Sequence, residues 1–374
     1  LVGRLGGERG RRAAQHPRRS VVEPQSSPLR IGVIAPPWLT VPPDGYGGTE
    51  VLIDSLCRGL RAGGHDVHLF ASGDSTCPVS LHFANDRAPG IDIGGSAVEI
   101  DHVIAAYREF DGFDIIHDHT TAGPFVGRAM TSTPIVTTNH NRFVRPFVTG
   151  FAALAPEIPT IAISHHHAST AGSVPVGAVI HHGIDPADYP VGTGSGGYAL
   201  FLGRMTETKG ALRAIHAAVA AGTMIYLAGK ARAPEEISYL EEHIRPFLGS
   251  SVHYLGEIDS AGKLELLSGA ACLINPIAWD EPFGMVMIEA LACGTPVVAL
   301  RYGAAPEIVE DGVTGLLVGT EAELVPALHA VATLDRRACR AAVEGHFSVG
   351  RMVAEHIEFY RRVIACRQRD GGST

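Results

Sequence analysis

Short apolar runs alternate with amphipathic stretches along most of the chain. The runs are rich in β-branched residues, and the stretches between them carry apolar residues at helical spacing. This alternation is typical of βαβ units and a mostly parallel sheet. It predicts strands at 31–35, 67–71, 115–117, 135–138, 161–164 and 179–181 in the first half, and at 199–202, 224–228, 252–255, 272–274, 297–300 and 315–318 in the second.

A helix is predicted directly after the first strand. Thr49 and Glu50 begin it, and Gly63 and Gly64 end it. Its apolar residues recur every three to four positions and mark the buried face: Val51, Leu52, Leu56 and Leu60.

A segment rich in Gly, Pro and Asp at 183–197 divides two similar halves, and we place the hinge at 186–197 within it. We predict one Rossmann-like domain at 30–185 and a second at 198–348. A last helix at 349–366 is long enough to bridge two lobes at about 1.5 Å per residue, and we expect it to pack back on the first domain. The predicted fold class is α/β, with two doubly wound domains that bind a ligand in the cleft between them.

Composition agrees with a globular protein of two domains. The chain has 374 residues, of which 45% are hydrophobic and 18% charged, so it can bury a substantial core. Its formal charge of -9 gives no global basic field, and we expect no nucleic-acid partner. No window approaches the roughly 18 to 20 apolar residues of a membrane span. We therefore expect a cytoplasmic protein, and the six scattered cysteines to be free thiols.

The first 29 residues differ from the rest of the chain. They contain six arginines and almost no periodic apolar pattern, so we predict a disordered tail. Its charge leaves peripheral contact with the inner face of a membrane open as an alternative.

The most informative segment for function runs from 280 to 298. Glu281 follows a strand, Gly284 permits close backbone approach, and a helix begins there. The free N–H groups of that helix start would receive an anion or sugar hydroxyls, and Glu289 can reach over the same end. The alternative is an ordinary helix with two solvated acids.

This segment, EPFGMVMIEALACGTPVVA, resembles the signature of the family 4 retaining glycosyltransferases of GT-B fold. The resemblance extends to FLGRMTETKG (201–210), HHGIDPADY at the hinge, PPDGYGGTE near the start and GAAPEIVEDGVTGLLV (303–318), and covers about residues 30 to 366. It implies a GT-B enzyme that takes a nucleoside diphosphate sugar as donor, with UDP-sugars favoured. It leaves the acceptor open between a small molecule, a saccharide and a lipid-linked compound.

Two cations follow the strand that ends at Leu202. Arg204 lies at its carboxyl end, and Lys209 precedes the next helix. A guanidinium fork and an ammonium suit a diphosphate, and the resemblance implies that this pair holds the donor pyrophosphate. The alternative is a surface pair neutralised by Glu207.

The resemblance also implies roles for the 280–298 segment and for the first domain. Glu289 would bind the ribose hydroxyls, and Glu281 would bind the donor sugar together with the backbone N–H groups of Phe283, Gly284 and Met285. The further residues it implies are Gly47 and Gly48 at the phosphates and acceptor, His140 at the donor sugar or β-phosphate, and Ser164 at the wall between the domains.

Two positions keep an alternative open. A Gly-Gly pair such as Gly47-Gly48 is by itself weak evidence and is more often a plain turn. Glu307 would line the donor side by resemblance, but it could equally stabilise the dipole of its own short helix.

We predict catalysis without a metal ion or another cofactor. The chain contains no D-x-D triplet, with which metal-dependent glycosyltransferases usually hold a divalent ion. Zinc is an alternative because many histidines lie near strand ends, but neither HExxH nor Cys/His spacing occurs. The histidines concerned are His117, His119, His140, His165, His166, His167, His181 and His182.

Three other functions remain as alternatives. A sugar-nucleotide epimerase could share the GT-B architecture, and a non-catalytic sugar-nucleotide binder could share the pocket. An NAD oxidoreductase is disfavoured, because the chain lacks the dinucleotide glycine fingerprint and its paired acid.

Overall fold

Two parallel sheets, one in each half of the chain, organise the fold. The computed structural model describes residues 27–45, 47–90, 95–155 and 157–371. Residues 1–26 of the predicted tail lie outside the described residues, whereas Leu29 at its end is buried in the core of the first lobe.

The first lobe contains seven strands and five helices among the described residues. In chain order they are β1 (Arg30–Ile34), α1 (Gly48–Ala62), β2 (Asp66–Phe70), β3 (Ser80–His82), α2 (Ser96–Glu109), β4 (Ile115–Asp118), α3 (Gly123–Gly127), β5 (Ile135–Thr138), α4 (Arg145–Leu154), β6 (Thr160–Ala162), α5 (His165–Ser169) and β7 (Val176–Val179).

The second lobe follows the same pattern and ends in a long helix. Its elements are β8 (Ala199–Leu202), α6 (Ala211–Ala220), β9 (Ile225–Ala228), α7 (Pro234–Tyr239), β10 (Val252–Tyr254), α8 (Ser260–Gly269), β11 (Cys272–Asn275), α9 (Met285–Ala292), β12 (Val297–Leu300), α10 (Ala305–Ile308), β13 (Gly315–Val318), α11 (Leu324–Ala330), α12 (Arg336–His346) and α13 (Val349–Gly371).

Both sheets are wound outward from a central strand. The orders are β3-β2-β1-β4-β5-β6-β7 and β10-β9-β8-β11-β12-β13, and every pairing is parallel. The chain reverses its winding direction beside β1 and beside β8, which is where open α/β sheets bind ligands. The predicted pair of doubly wound sheets is confirmed.

The long helix α13 packs on the first lobe, as expected. Its Met352 and Tyr360 lie in one core cluster with residues of β1 and α1. The absence of a side chain at Gly59 allows close approach, because a Cβ there would lie 2.6 Å from Val353 Cγ2. The helix continues to Gly371, five residues beyond its predicted end.

One strand was missed, and two strand predictions need correction. The edge strand β3 was missed, since its three residues carry little apolar signal. The strand predicted at 161–164 ends at Ala162, because Ser164 caps α5 by accepting a hydrogen bond from the His167 N–H. The strand predicted at 179–181 is β7, which ends at Val179.

Candidate active site

A cavity of about 500 Å³ separates the lobes beyond the carboxyl ends of both sheets. The loops after β1, β5, β8 and β11 form most of its walls. Ten of the residues that the sequence predicts for the site line this cleft, whereas Ser164 and Glu307 do not. The ten are Gly47, Gly48, His140, Arg204, Lys209, Glu281, Phe283, Gly284, Met285 and Glu289. Their positions therefore converge, while their chemical roles stay predictions.

Helix α9 begins at the cleft and is fixed there by both lobes. Gly284 precedes it with a φ of 101°, a conformation that favours glycine. Ser164 of the first lobe donates a hydrogen bond from Oγ to the Pro282 carbonyl at 2.7 Å. Because the first N–H groups of a helix lack partners within it, this end of α9 can bind an anion or hydroxyls.

Lys209 and Glu281 form an ion pair across the cleft wall. Lys209 Nζ lies 2.7 Å from Glu281 Oε2, and both side chains are about one-sixth exposed. The Lys209 ammonium and the Glu281 carboxylate, both predicted to bind the donor, therefore form an ion pair with each other in this structure. The alternative partner Glu207 is not the one that Lys209 takes.

Arg204 is held by a buried acid that the sequence did not single out. Its Nη1 lies 3.3 Å from Glu236 Oε1. Glu236 Oε2 accepts hydrogen bonds from the backbone N–H groups of Arg232 and Ala233, at 3.0 and 3.3 Å. These bonds fix the carboxylate, so Glu236 orients the guanidinium at the cleft.

Glu289 lies in the second turn of α9 and has two partners. Lys263 Nζ, from α8, is 2.7 Å from Glu289 Oε1, and the Tyr189 hydroxyl donates to the same oxygen at 3.4 Å. Burial first, and then the charge of Glu289, raise the pKa of Tyr189, which keeps it a donor. No motif in α8 pointed to Lys263.

The start of α1 faces the start of α9. A Cβ on Gly48 would lie 3.9 Å from Met285 Cγ, and one on Gly47 would lie 2.8 Å from Glu50 Oε2. Two helix N-termini therefore approach the same part of the cleft, which adds positive potential there. Glu50 also lines the cleft and was predicted only as a helix residue.

His140 is a neutral group at the cleft. Its Nε2 lies 2.9 Å from His119 Nδ1, and its ring stacks on His182 at 5.5 Å between centroids. Burial, followed by the neighbouring His167 and His356, lowers the pKa of His140 to about 3. The imidazole can therefore donate or accept a hydrogen bond at neutral pH without carrying charge.

The ring of His140 belongs to a larger group that we name the histidine stack: His117, His119, His140, His182 and His356. Adjacent ring centroids are 3.9 to 5.5 Å apart. The stack runs from the cleft to α13, where His117 Nδ1 lies 2.6 Å from the Tyr360 hydroxyl. His119 and His140 bond to each other, and His117 and His356 bond to neighbouring protein groups, an arrangement typical of a core.

Glu307 joins the lobes and does not line the cleft. It accepts hydrogen bonds from the backbone N–H groups of His165 and His166 at 2.8 and 2.6 Å, and its Oε2 lies 2.7 Å from His181 Nε2. The expectation that Glu307 lines the donor side is wrong, because its carboxylate binds the N-terminus of α5 in the other lobe. Glu307 also lies in the first turn of its own helix α10, as the alternative expected. This group also places His165, His181 and Glu307 within 4.8 Å of one another.

A second contact between the lobes involves a tryptophan that the sequence analysis missed. Arg142 of the first lobe lies 5.1 Å from the ring centroid of Trp279 and pairs with Asp280 at 3.4 Å. Lys209 Nζ lies 5.6 Å from the same ring. Trp279 therefore stands at the cleft between a cation of each lobe.

Comparison with known families agrees with this geometry. The model "Glycosyltransferase Family 4" matches residues 46–188, and the model "Glycosyl transferases group 1" matches residues 196–333. Together they span about three quarters of the chain and meet at the hinge. The chain belongs to the family 4 glycosyltransferases. It is a glycosyltransferase of GT-B fold.

Relatives of this glycosyltransferase extend over most of its length. A phosphatidyl-myo-inositol mannosyltransferase of Mycobacterium leprae is 27% identical over 350 residues, which cover 82% of this chain and 88% of the relative. AviGT4, a glycosyltransferase involved in avilamycin A biosynthesis, superposes with a TM-score of 0.70 at 26% identity, covering 90% of this chain and 98% of its own.

The fold also matches HepE of Anabaena, solved in complex with UDP-glucose. The TM-score is 0.69 at 19% identity, with 88% of this chain and 99% of the HepE chain covered. At this identity the similarity shows the shared fold alone. Within the described residues of the glycosyltransferase, no helix combines the length and apolar character needed to cross a bilayer.

Proposed function

We propose that this glycosyltransferase moves a sugar from a nucleoside diphosphate sugar to a hydroxyl of an acceptor, with retention at the anomeric carbon and without a divalent metal ion. The observation that carries the proposal is the convergence of Lys209, Arg204 and the start of α9 on one cleft, beside the carboxylates of Glu281 and Glu289. Cations and helix N-termini suit phosphates, and carboxylates suit sugar hydroxyls.

The donor lies along the second lobe in this proposal. Glu289, buried and held by Lys263, binds the ribose hydroxyls. Arg204 and Lys209 hold the diphosphate. Glu281 and the N–H groups at the start of α9 bind the hydroxyls of the sugar.

Donor binding then requires an exchange of partners in the cleft. The described lining carries five cations and five carboxylates, so their formal charges cancel. A diphosphate that binds Lys209 displaces Glu281 from its ion pair. The released carboxylate is then available to accept hydrogen bonds from the donor sugar, which couples recognition of the two parts of the donor.

The same cations accelerate the reaction. As the bond between the sugar and the diphosphate breaks, negative charge builds on the leaving oxygen, and positive groups fixed there stabilise the transition state more than the ground state. They perform the electrostatic task that a divalent ion performs in other transferases. The lack of a D-x-D triplet supports this assignment.

Retention follows from attack by the acceptor on the face that the diphosphate leaves. We assign no residue as a covalent nucleophile. The neutral His140 lies at the cleft, where it can donate a hydrogen bond to the sugar or the β-phosphate.

Uridine is the favoured donor base on the family resemblance, and HepE, solved with UDP-glucose, shares the fold. The acceptor class is a small molecule, a saccharide or a lipid-linked compound. The M. leprae relative is named a phosphatidyl-myo-inositol mannosyltransferase, which supports a lipid-linked acceptor. For such an acceptor we propose that the enzyme acts in the cytoplasm with peripheral contact to the membrane.

A thermal-shift screen tests the donor. UDP, GDP and ADP are compared with their glucose, mannose and N-acetylglucosamine conjugates, because a matched ligand raises the Tm by mass action. NMR of the product formed with an acceptor then reports the anomeric configuration. A product with inverted anomeric configuration contradicts retention. If the protein instead epimerises the donor in the absence of an acceptor, the proposed transferase activity is wrong and the protein is an epimerase.

A further inference from the structure

Two histidines and a glutamate meet where the lobes contact each other beside the cleft. His165 begins α5 and His181 follows β7, both in the first lobe, whereas Glu307 lies on α10 of the second lobe. One atom of each side chain, a ring nitrogen or a carboxylate oxygen, lies within 4.8 Å of the other two. We name this group the interlobe triad. None of its members belongs to the described lining of the cleft.

The interlobe triad has a ligand set that binds transition-metal ions. Two imidazoles and one carboxylate hold zinc in proteins, and a water molecule completes the tetrahedron. Bonds of about 2.0 to 2.1 Å to the ion separate neighbouring ligand atoms by about 3.3 Å. His181 Nε2 and Glu307 Oε2, at 2.7 Å, are already close to this separation. His165 is exposed, so its side chain can rotate to complete the set.

The carboxylate of the triad is oriented by backbone hydrogen bonds. Glu307 Oε1 accepts from the His166 N–H at 2.6 Å, and Oε2 accepts from the His165 N–H at 2.8 Å. Each carboxylate oxygen has two lone pairs, so Oε2 keeps one for an ion that lies between it and His181. Contacts of this kind, from groups that do not bind the ion themselves, orient metal ligands and strengthen metal binding.

The ring of His181 is fixed as well. It packs against Phe283 and Phe347, each at 6.0 Å between centroids. Arg351 Nη2 donates a hydrogen bond to the His181 carbonyl at 2.6 Å. Because both phenylalanines are buried, they shield one side of the triad from water, while the exposed His165 leaves a path by which an ion can enter. Oriented ligands, an apolar surround and an entry path are features of a metal site.

We propose that the interlobe triad binds a divalent transition-metal ion such as Zn²⁺. The ion takes the place of a proton between His181 Nε2 and Glu307 Oε2, and that proton is released to water. Because its ligands come from both lobes, the bound ion links the lobes beside the cleft. The triad does not line the cleft, so the ion takes no part in the proposed transfer, and the inference does not depend on that reaction.

The alternative is a contact between the lobes without an ion. His181 and Glu307 would then form a hydrogen bond only, and His165 would contribute its backbone N–H but not its ring. The two interpretations differ in whether the His165 side chain affects the binding of added zinc.

Calorimetry with Zn²⁺ distinguishes the two interpretations. The full chain is first stripped of metal with EDTA and dialysed into buffer without chelator. We expect the wild-type protein to bind one equivalent of Zn²⁺ and its Tm to rise, because an ion that binds only the folded state stabilises it by mass action. Mg²⁺ prefers oxygen ligands and should cause no comparable change.

Three variants locate the ion. His165→Gln should raise the Kd for Zn²⁺ about 100-fold, because even the loss of a group that only orients a ligand costs about 10- to 100-fold. Glu307→Gln keeps an oxygen for the backbone N–H groups but loses the charge, and should raise the Kd at least about tenfold. His346→Gln, which also removes an exposed histidine, is the matched control and should keep the wild-type Kd.

Wild-type affinity for Zn²⁺ in His165→Gln overturns the proposal, and so does a wild-type protein that binds no Zn²⁺ or binds Mg²⁺ equally well. Unchanged affinity in Glu307→Gln would show that the second lobe supplies no ligand, which also contradicts it. If Glu307→Gln does not fold, His165→Gln decides, since it changes an exposed side chain. None of these measurements involves a nucleotide, so failure of the proposed function leaves the test intact.

Discussion

At the residue scale, the cleft contains ion pairs whose members are also the groups that we propose to bind the donor. Lys209 with Glu281 and Lys263 with Glu289 are both at 2.7 Å and mostly shielded from solvent. Removing one member of such a pair leaves its partner as an uncompensated buried charge, which costs more than the loss of a surface pair. Each cation therefore also fixes the orientation of its carboxylate.

Lys263→Met tests this dependence at Glu289. Without the ammonium, the buried carboxylate binds the ribose hydroxyls less well. We expect the Kd for the nucleoside diphosphate to rise about tenfold, equivalent to about 1.4 kcal/mol. Isothermal titration calorimetry measures the change, and Lys263→Arg, which keeps the charge, should recover most of the affinity.

A nucleotide without ribose hydroxyls provides the control for that experiment. The 2′,3′-dideoxy analogue has nothing for Glu289 to bind, so the substitution should weaken its binding by less than twofold. An equal loss for both nucleotides would show that Lys263 acts elsewhere.

The residues of the site differ in how far the sequence could predict them. Arg204, Lys209 and Glu281 lie in sequence motifs that resemble those of the family, and all three line one cleft in the structure. Glu236 and Lys263 stand on helices without such strings. Their contribution depends on which side chain they contact in the folded protein, and the spacing of residues along the sequence does not predict these contacts.

At the element scale, apolar periodicity predicted the interior of each sheet best. The strands β5, β8, β12 and β13 have the predicted bounds, because every residue in them is apolar or β-branched or lies next to a turn. The edge strand β3 has only one neighbour and three residues, so its formation depends on pairing with β2 more than on its own sequence.

The attachment of α13 to the first lobe combines apolar packing with one buried polar contact. Met352 and Tyr360 enter the core of that lobe, and the Tyr360 hydroxyl lies 2.6 Å from His117 Nδ1. Both groups are fully buried, so neither can turn to water if the other is removed.

Tyr360→Phe removes the hydroxyl and leaves His117 Nδ1 without that partner. We expect the free energy of unfolding to fall by about 1 to 3 kcal/mol. Urea denaturation followed by circular dichroism measures it. Tyr302→Phe is the control at an exposed position and should change stability by less than about 0.5 kcal/mol. Equal stability of the two variants would contradict a structural role for the contact.

At the scale of the whole molecule, the histidine stack links folding to pH. Burial is the main cause that lowers the pKa of its members, to about 3 for His140 and about 4 for His356. The folded protein therefore keeps these rings neutral, while the unfolded chain binds protons near pH 6.5. Stability is complete above that pH and is lost as the pH falls toward the folded-state values.

We accordingly expect the free energy of unfolding to decrease between pH 7 and pH 5. The slope should approach about 1.4 kcal/mol per pH unit for each buried histidine that charges on unfolding. Urea titrations at several pH values measure this slope. His356→Gln should lower this slope by the contribution of roughly one proton. His346→Gln, at an exposed position, should leave the slope unchanged. Stability independent of pH over this range would contradict the neutral stack.

The two lobes contact each other beside the cleft through Ser164, Glu307 and Arg142. Steady-state transfer measured in excess EDTA, for wild type, Lys209→Ala and Arg204→Ala, tests the proposed phosphate site most directly. We predict that EDTA leaves wild-type kcat unchanged. Each substitution should raise the activation free energy by about 2 to 4 kcal/mol, which lowers kcat roughly 30- to 1,000-fold. Complete loss of wild-type turnover in EDTA, or near-normal kcat in both variants, would contradict it.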